Sequence, residues 1–259
     1  MKFATIVLQG PIFSGTIDTA KEYLKLDFVD KVIISCWKED KKHEIANDDI
    51  EYIFSDLPKH SGGGNINYQI VSSQNGIKKC TSEVVIKMRS DQRVTLESMN
   101  MMNRFFNKFN SSSVSYQDNS GPIGSIFVIG MHGLLPYHPQ DHIFWGYRED
   151  VTTLFNIPLS PWSSFSERRA DFKNKDLRCP MHIGTYYYLR FNDKIQLYID
   201  NPKTYLLDSS PKINEAIETC NLIKDDVFKV FPRIDLHWEK YNTSYLYDGY
   251  GAQGEYYYD

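Results

Sequence analysis

The segment VVIKMRSDQRV, residues 84–94, places a dense group of charges directly after an apolar run. The apolar start is typical of a buried strand, and Lys87, Arg89, Asp91 and Arg93 follow it. Charged side chains at the end of a strand cost free energy unless a partner or a ligand compensates them. We therefore expect these charged side chains to meet a bound ligand that carries charge or hydrogen-bonding groups of its own. The alternative is a surface ion pair between Asp91 and Arg89 or Arg93 that binds no ligand.

Apolar runs alternate with segments of helical periodicity over the first 130 residues or so. The predicted strands are residues 3–8, 31–36, 51–55, 84–88 and 123–129, and the predicted helices are residues 17–26, 65–79 and 95–109. This alternation predicts an α/β fold with a mostly parallel central sheet flanked by helices.

Polar residues follow the predicted strands, and in parallel sheets ligands bind at the carboxyl ends of the strands. These residues are Gln9, then Ser35 and Trp37, then Asp56, then the charged run from Lys87 to Arg93. We expect them to converge on one rim of the sheet. Because loops are generally polar, any single one of these residues could be there for solvation alone.

The second half of the chain is rich in proline and aromatic residues, with no internal repeat. Helices are predicted through residues 140–155, 181–191 and 211–230. The composition changes near residue 133 without a linker, so we predict a single domain over residues 1–259.

Composition excludes some classes of function. The net charge of −4 gives no general attraction for nucleic acid. The four cysteines form no CxxC pair, which argues against a zinc site and favours a reducing compartment. The apolar run at the N-terminus is too short for a signal peptide or a membrane span, so we expect a cytosolic protein. The 18 tyrosines suit a surface that stacks on sugars, although buried tyrosine is common.

The sequence Ser90-Asp91-Gln92-Arg93 is similar to the Asp-x-Asp-like motif of GT-A glycosyltransferases, with Arg93 in the place of the second acid. In those enzymes a carboxylate contacts the ribose or a divalent cation that bridges the pyrophosphate. The resemblance implies that Asp91 binds either a ribose hydroxyl or a Mn²⁺ or Mg²⁺ ion, which prefers oxygen donors, and that the cationic side chains around it face the diphosphate. With one carboxylate we expect weak metal binding, and cationic side chains could stabilise the leaving group in the metal's place, making the reaction metal-independent.

Several motifs in a fixed order extend this resemblance. They are Gln9-Gly10-Pro11, Ser35-Cys36-Trp37, Asn65-Ile66-Asn67-Tyr68-Gln69, Gly76, Lys87-Met88-Arg89-Ser90-Asp91 and the segment from His138 to Gly146. Together they resemble the WavE family of lipopolysaccharide-synthesis proteins, which are GT-A-like glycosyltransferases, over about residues 5–150. The resemblance implies a nucleotide-sugar-binding half at residues 1–132, and an acceptor-side half with a helical, aromatic-rich C-terminal part at residues 133–259.

Carried over by position, the resemblance assigns roles to individual side chains. Gln9, Gly10, Ser35, Trp37, Asn67 and Gln69 would line the nucleotide end, Lys87, Arg89, Asp91 and Arg93 would lie at the sugar diphosphate, and Asp141 would lie across the cleft. Three of these assignments have structural alternatives. Trp37 could cap the core, Asn67 could be a polar residue at a helix terminus, and Gln69 could face solvent.

At the expected position of the general base the sequence departs from the family, because Met181 stands where the family tends to carry an acid. Asp141 is our first choice, since partial burial in an aromatic-rich segment would raise its pKa, and His182 is the second. His142, Glu149 and Asp150 are further candidates, and the last two are expected in a solvated helix turn with Arg148. An inverting reaction is expected, and retention stays open.

The function implied is a hexosyltransferase-type glycosyltransferase. It would move a sugar from a nucleotide-sugar donor to an oligosaccharide or lipid-linked glycan acceptor of a surface polysaccharide, with peripheral association at the inner membrane as an option. One alternative is a non-catalytic carbohydrate-binding or scaffolding protein, which Met181 and the missing second acid favour. A sugar nucleotidyltransferase is a weaker alternative, because QGPIFSGT lacks the glycines and the lysine of a triphosphate-binding loop.

Overall fold

The computed structural model describes residues 2–110, 125–130, 139–163, 167, 228–232, 234–238 and 243–247. The strands are β1 (Ala4–Gln9), β2 (Val29–Trp37), β3 (Ile50–Ser55), β4 (Val84–Arg89), β5 (Gln92–Val94), β6 (Ile126–Val128), β7 (Ile143–Tyr147), β8 (Phe228–Val230), β9 (Ile234–Trp238) and β10 (Thr243–Tyr247). The α-helices are α1 (Thr16–Tyr23), α2 (Ile66–Ile77), α3 (Leu96–Asn110) and α4 (Arg148–Phe155). Within these ranges, no helix is long and apolar enough to cross a bilayer.

The main sheet has the strand order β3-β2-β1-β4-β7-β6-β8. Strand β7 is antiparallel to β4 and β6, and the other pairings are parallel. The predicted α/β fold with a mostly parallel sheet and flanking helices is therefore confirmed. A second sheet is antiparallel and has the order β10-β9-β5. Because β5 follows β4 in the chain, the chain passes from the main sheet to the second sheet directly after β4.

Both faces of the main sheet are covered, which buries alternate residues of each central strand in two different cores. One core contains Ile86 and Met88 of β4 together with residues of α1, α3 and β9. The other contains Val85 together with residues of α2 and α4. Since side chains alternate along a strand, Lys87 and Arg89 follow Val85 onto the α2–α4 face. The alternation thus decides where the charges of β4 lie.

The helix predicted over residues 140–155 is wrong in its first half. The structure has β7 there, followed by α4. The sequence IFWGY is apolar throughout because β7 lies between β4 and β6 and has both faces covered, and such a short run does not distinguish a strand from a helix.

The other C-terminal predictions are tested only in part. Residues 228–230, predicted as helix, form β8, and residues 243–247 of the tyrosine-rich tail form β10 against β9. The helix predicted over residues 181–191 lies outside the described residues, as does most of the one predicted over residues 211–230.

Gly76→Ala tests how closely α2 packs on the sheet. A Cβ at Gly76 would lie 2.6 Å from Val7 Cγ1 and 2.9 Å from Ser35 Cβ. Because both neighbours belong to central strands, we expect the added methyl group to lower the free energy of unfolding by about 1–3 kcal/mol, measured by urea denaturation.

The control is Ser73→Ala on the same helix. The Ser73 hydroxyl is buried without a hydrogen-bond partner among the described residues, so its removal should leave stability unchanged or higher. Wild-type stability in Gly76→Ala would contradict the close packing of α2.

Candidate active site

The loops that follow β1 and β4 are fastened together. The Ser90 amide donates to the Gln9 carbonyl at 2.9 Å, and Ser90 Oγ donates to the Pro11 carbonyl at 2.7 Å. Gly10 has a φ of 120°, and a Cβ there would lie 2.8 Å from Ser90 Oγ. The turn therefore requires glycine both for its backbone conformation and for the close approach of Ser90. Thr16 Oγ1 donates to the Ser90 carbonyl at 2.9 Å and ties α1 to the same loop.

The strand register aligns three of the predicted rim residues. Gln9 is paired with Ser35 on β2 and with Arg89 on β4, so the three residues lie side by side. Ser35 Oγ donates to the Ser72 carbonyl at 2.6 Å, which fixes α2 on the sheet and leaves Ser35 fully buried. Gln9 Oε1 is buried and has no hydrogen-bond partner among the described residues. A donor from a ligand would satisfy it, since unpaired buried acceptors are costly.

Arg89 and Asp91 form a bidentate ion pair. Arg89 Nε lies 2.9 Å from Asp91 Oδ1, and Nη2 lies 2.8 Å from Oδ2. The indole N–H of Trp238 donates to the same Oδ2 at 2.9 Å, and the Trp238 ring centroid lies 5.0 Å from the Arg89 guanidinium carbon. Burial alone would raise the pKa of Asp91, but the hydrogen bonds and charge of Arg89, helped by Trp238, hold that pKa below its usual value. Asp91 is therefore a carboxylate with both oxygens engaged.

Arg89 also reaches a second carboxylate. Its Nη1 lies 3.3 Å from Asp141 Oδ2, and Gln69 Nε2 donates to the same oxygen at 3.2 Å. The side chains of Arg89 and Asp141 are each 28% exposed, so this is the part of the cluster that a ligand can reach. The structure thus brings Arg89, Asp91, Gln69 and Asp141 together at the carboxyl ends of the parallel strands. Gln69 faces this cluster rather than solvent.

Lys87 is fully buried beneath Asp141. Its Nζ donates to the Asp141 carbonyl at 2.9 Å and lies 5.3 Å and 5.4 Å from the ring centroids of Phe144 and Phe155. Burial lowers the pKa of Lys87 to about 7, with the nearby Asp141 carboxylate opposing the shift. Lys87 therefore anchors the backbone of Asp141 and does not lie on the exposed rim, because its position on β4 directs it into the core.

Arg93 is not brought to the cluster. It lies on β5, and its Nη2 is 2.6 Å from Glu22 Oε2 on α1, which packs on the other face of the sheet. Trp37 and Asn67 also have structural partners. Trp37 is buried with its ring 5.5 Å from that of Tyr68. The Asn67 side chain donates to the Ser160 carbonyl at 3.2 Å and accepts from the Ser160 amide at 2.7 Å, which fastens α2 to the segment after α4.

Strand β7 separates the base candidate His142, next to Asp141, from the candidates Glu149 and Asp150. The register pairs Met88 with Ile143 and Val84 with Tyr147, so residues 141 and 142 lie at the rim and residues 148–150 at the opposite end of the sheet. Glu149 and Asp150 are therefore remote from the cluster, and Asp150 is buried rather than solvated as predicted.

His142 lies behind the cluster. Its Nδ1 contacts the Gln92 side-chain amide, and its ring lies edge-on to Trp238 with the centroids 5.3 Å apart. Burial lowers the pKa of His142 to about 4, so the imidazole is neutral at physiological pH. His182 lies outside the described residues. Asp141 is thus the candidate base that the structure places at the cluster.

Asp91 does not fit the predicted Mn²⁺ or Mg²⁺ site. Both of its oxygens accept hydrogen bonds, two of them from a guanidinium whose positive charge would repel a cation. Among the described residues, no group of three or more His, Cys, Asp or Glu could hold a metal ion.

Trp238 is the site residue that the sequence did not single out for this role. The structure buries Trp145 and Trp162 in the two cores, whereas the Trp238 side chain reaches the cluster. Trp238 lies 147 positions after Asp91 in the sequence, and the pairing of β9 with β5 brings the two side chains together. The alternation of Ile234, Leu236 and Trp238 would have predicted a strand, but not its partner.

A family model for WavE lipopolysaccharide synthesis matches residues 4–204. The chain belongs to this family. The match covers more than half of the chain and confirms the resemblance read from its motifs, extending it past residue 150. Gln9, Arg89, Asp91 and Asp141 lie within the matched region, whereas Trp238 lies beyond it.

Similar solved structures share little sequence with this WavE family member. HddC from Yersinia pseudotuberculosis is 14% identical, with a TM-score of 0.35 and coverage of 63% of this chain and 82% of that chain. Residues 1–349 of S. aureus TarS are 14% identical, with a TM-score of 0.36 and coverage of 73% and 55%. The chain spans only 22% of the longer TarS chain and 35% of TarS 1–349 in complex with UDP-GlcNAc. At such low TM-scores these likenesses carry no conclusion about ligands. No curated protein matches the chain.

Trp238→Phe should raise the pKa of Asp91. The change keeps a ring over Arg89 and removes the indole N–H that stabilises the carboxylate. A carboxylate that has lost one hydrogen-bond donor protonates at a higher pH. We therefore expect the acid limb, which is the loss of diphosphate affinity as the pH falls, to move to higher pH. Titration calorimetry over a pH series measures this limb.

The matched control is Trp145→Phe in the core, where the indole nitrogen has no hydrogen-bond partner among the described residues. It should lower the melting temperature and leave the acid limb in place. An unchanged limb in Trp238→Phe would show that the indole does not stabilise the Asp91 carboxylate.

Lys87→Met should change stability and activity in opposite directions. The change removes a buried charge, so we expect a gain in stability at about pH 7, together with reduced activity because the Asp141 carbonyl loses its anchor. Between the folded pKa of about 7 and the unfolded value of 10.5, only the unfolded wild-type chain binds the proton. Wild-type stability should therefore rise toward that of the variant as the pH increases. Urea denaturation at several pH values measures this difference, and full activity in the variant would contradict the anchoring role.

Proposed function

We propose that this protein is a glycosyltransferase that moves a sugar from a nucleotide-sugar donor to a glycan acceptor in the synthesis of a surface polysaccharide. The observation that carries the proposal is the group of Arg89, Asp91, Gln69 and Asp141 at the carboxyl ends of β1 and β4. Ligands of parallel sheets bind at this edge, and membership of a lipopolysaccharide-synthesis family supports the assignment.

Arg89 is the group that would bind the diphosphate of the donor. It is the arginine of the cluster, it is partly exposed, and its guanidinium presents N–H groups in a plane that matches phosphate oxygens. Gln9 lies beside Arg89 in the strand register. Its buried amide oxygen could accept a hydrogen bond from a hydroxyl group of the nucleotide sugar. Asp91 holds Arg89 in place for this contact and is not itself a phosphate ligand.

Asp141 is the group that would accept the proton of the acceptor. In an inverting transfer, the acceptor oxygen forms a bond to the anomeric carbon while its proton passes to Asp141. The bond from that carbon to the phosphate oxygen breaks, and the diphosphate leaves with the electron pair. Arg89 would stabilise the charge that develops on the leaving group, which is a role that metal ions have in other transferases.

The proposal also includes an acceptor and a location for the reaction. An oligosaccharide or lipid-linked glycan acceptor follows from the family's role in lipopolysaccharide synthesis. We propose that the reaction takes place on the cytosolic side, with peripheral contact to the membrane that carries the acceptor.

Release of nucleoside diphosphate from a panel of UDP-, GDP-, CMP- and dTDP-sugars, with CMP counted as the product of CMP-sugars, tests the proposal. The assay is run in EDTA and again with Mn²⁺. We expect turnover of one donor class in EDTA, because Arg89 occupies the position next to Asp91. Arg89→Lys keeps the charge but loses the planar fork, and should reduce the rate by about 100-fold or more.

Arg148→Lys is the matched control, since Arg148 lies at the opposite end of the sheet and binds the Thr81 carbonyl. It should turn over like the wild type. Equal, negligible release by the wild type and Arg89→Lys would favour the non-catalytic carbohydrate-binding alternative. Activity that requires Mn²⁺ would overturn the assignment of the metal's role to Arg89.

A further inference from the structure

The two carboxylates bound to Arg89 are held very differently. Asp91 makes two contacts to the guanidinium at 2.8 Å and 2.9 Å, accepts a third hydrogen bond from Trp238, and is 6% exposed. Asp141 contacts the guanidinium through one oxygen at 3.3 Å and is 28% exposed. Short, desolvated, bidentate contacts are much stronger than single, partly exposed ones. Asp141 is therefore the partner that Arg89 can exchange.

We propose that the diphosphate of the donor displaces the Asp141 carboxylate from Arg89, so that Asp141 can take the acceptor's proton only after the donor has bound. This inference rests on the proposed function and adds the order of events at the same site. Without donor, Arg89 masks the base. With donor, Arg89 binds phosphate oxygens and the base is released.

Charge is the reason that the exchange is required. Arg89, Asp91 and Asp141 together carry one positive and two negative charges, and Arg93 is paired with Glu22 on the other face. A diphosphate that bound Arg89 while Asp141 stayed in contact would bring like charges within a few ångströms of each other. Like charges at about 4 Å repel each other strongly where water is partly excluded. Rotation of the Asp141 side chain away from Arg89 relieves this repulsion.

The structure confines the movement to the side chain of Asp141. Lys87 holds the carbonyl of Asp141 at 2.9 Å from below, and β7 starts two residues later in register with β4. Gln69 on α2 donates to the Asp141 carboxylate and can follow a small rotation. The backbone can thus remain in place while the carboxylate turns toward the acceptor side.

Binding affinity for a diphosphate tests the exchange, because removal of a site carboxylate should then strengthen binding. The probes are inorganic pyrophosphate and the diphosphates UDP, GDP, dTDP, CDP and ADP, measured by titration calorimetry in EDTA. We expect Asp141→Asn to bind pyrophosphate and the preferred nucleotide about tenfold more tightly than the wild type, since no anion has to leave Arg89. Asp141→Ala serves as a second variant, because an amide can still contact Arg89.

Glu149→Gln is the charge-matched control. It removes one negative charge from an exposed position at the opposite end of the sheet and should bind like the wild type. Thermal denaturation confirms that each variant is folded.

The outcomes separate the two proposals. Equal or weaker binding by both Asp141 variants, with clear binding by the wild type, would overturn the exchange and leave the proposed function intact. Binding of no probe by any variant would overturn both, because Arg89 would then not be a diphosphate ligand. Tighter binding by Glu149→Gln of the same size would reduce the effect to net charge and overturn the exchange.

Discussion

The bidentate pair between Arg89 and Asp91 is the interaction on which the candidate site depends. It lies where β4 ends and the chain enters the second sheet, so it joins the two sheets through Trp238 of β9. The pair fixes a guanidinium that would otherwise be a long, mobile side chain, and pre-organised donors contribute more to catalysis than donors that must be ordered during the reaction. The hydrogen bond from Ser90 to the Pro11 carbonyl joins the loops after β1 and β4 and so also fixes the end of β4.

Lys87 shows that the site is built from the core outward. A fully buried lysine is costly, and this one is placed so that its ammonium group holds one carbonyl at the turn before β7. The cost is understandable if the position of Asp141 matters more than the stability of the fold. In the proposed function, stability and activity would therefore be opposed at this residue, as is common at functional sites.

The sequence predicted the α/β half well because its periodicities are local. Strands β1 to β4 and helices α1 to α3 were predicted close to their observed bounds. Lys87 was predicted on the rim, although the alternation along a strand covered on both faces already indicated a buried position. Strand β7 was missed because a short apolar run fits either a helix or a strand. The contact of Trp238 with Asp91 spans 147 positions and depends on strand pairing, which no local pattern records.

In the proposed mechanism, Arg89 is held by Asp91 and binds the diphosphate without a metal ion. A crystal structure with a bound nucleoside diphosphate, grown with Mn²⁺ present, would show whether this contact forms. We expect phosphate oxygens within hydrogen-bond distance of the Arg89 guanidinium, the Asp91 pair unchanged, and the Asp141 carboxylate turned away from Arg89. A Mn²⁺ ion bound to Asp91, with Arg89 displaced from both carboxylates, would contradict it.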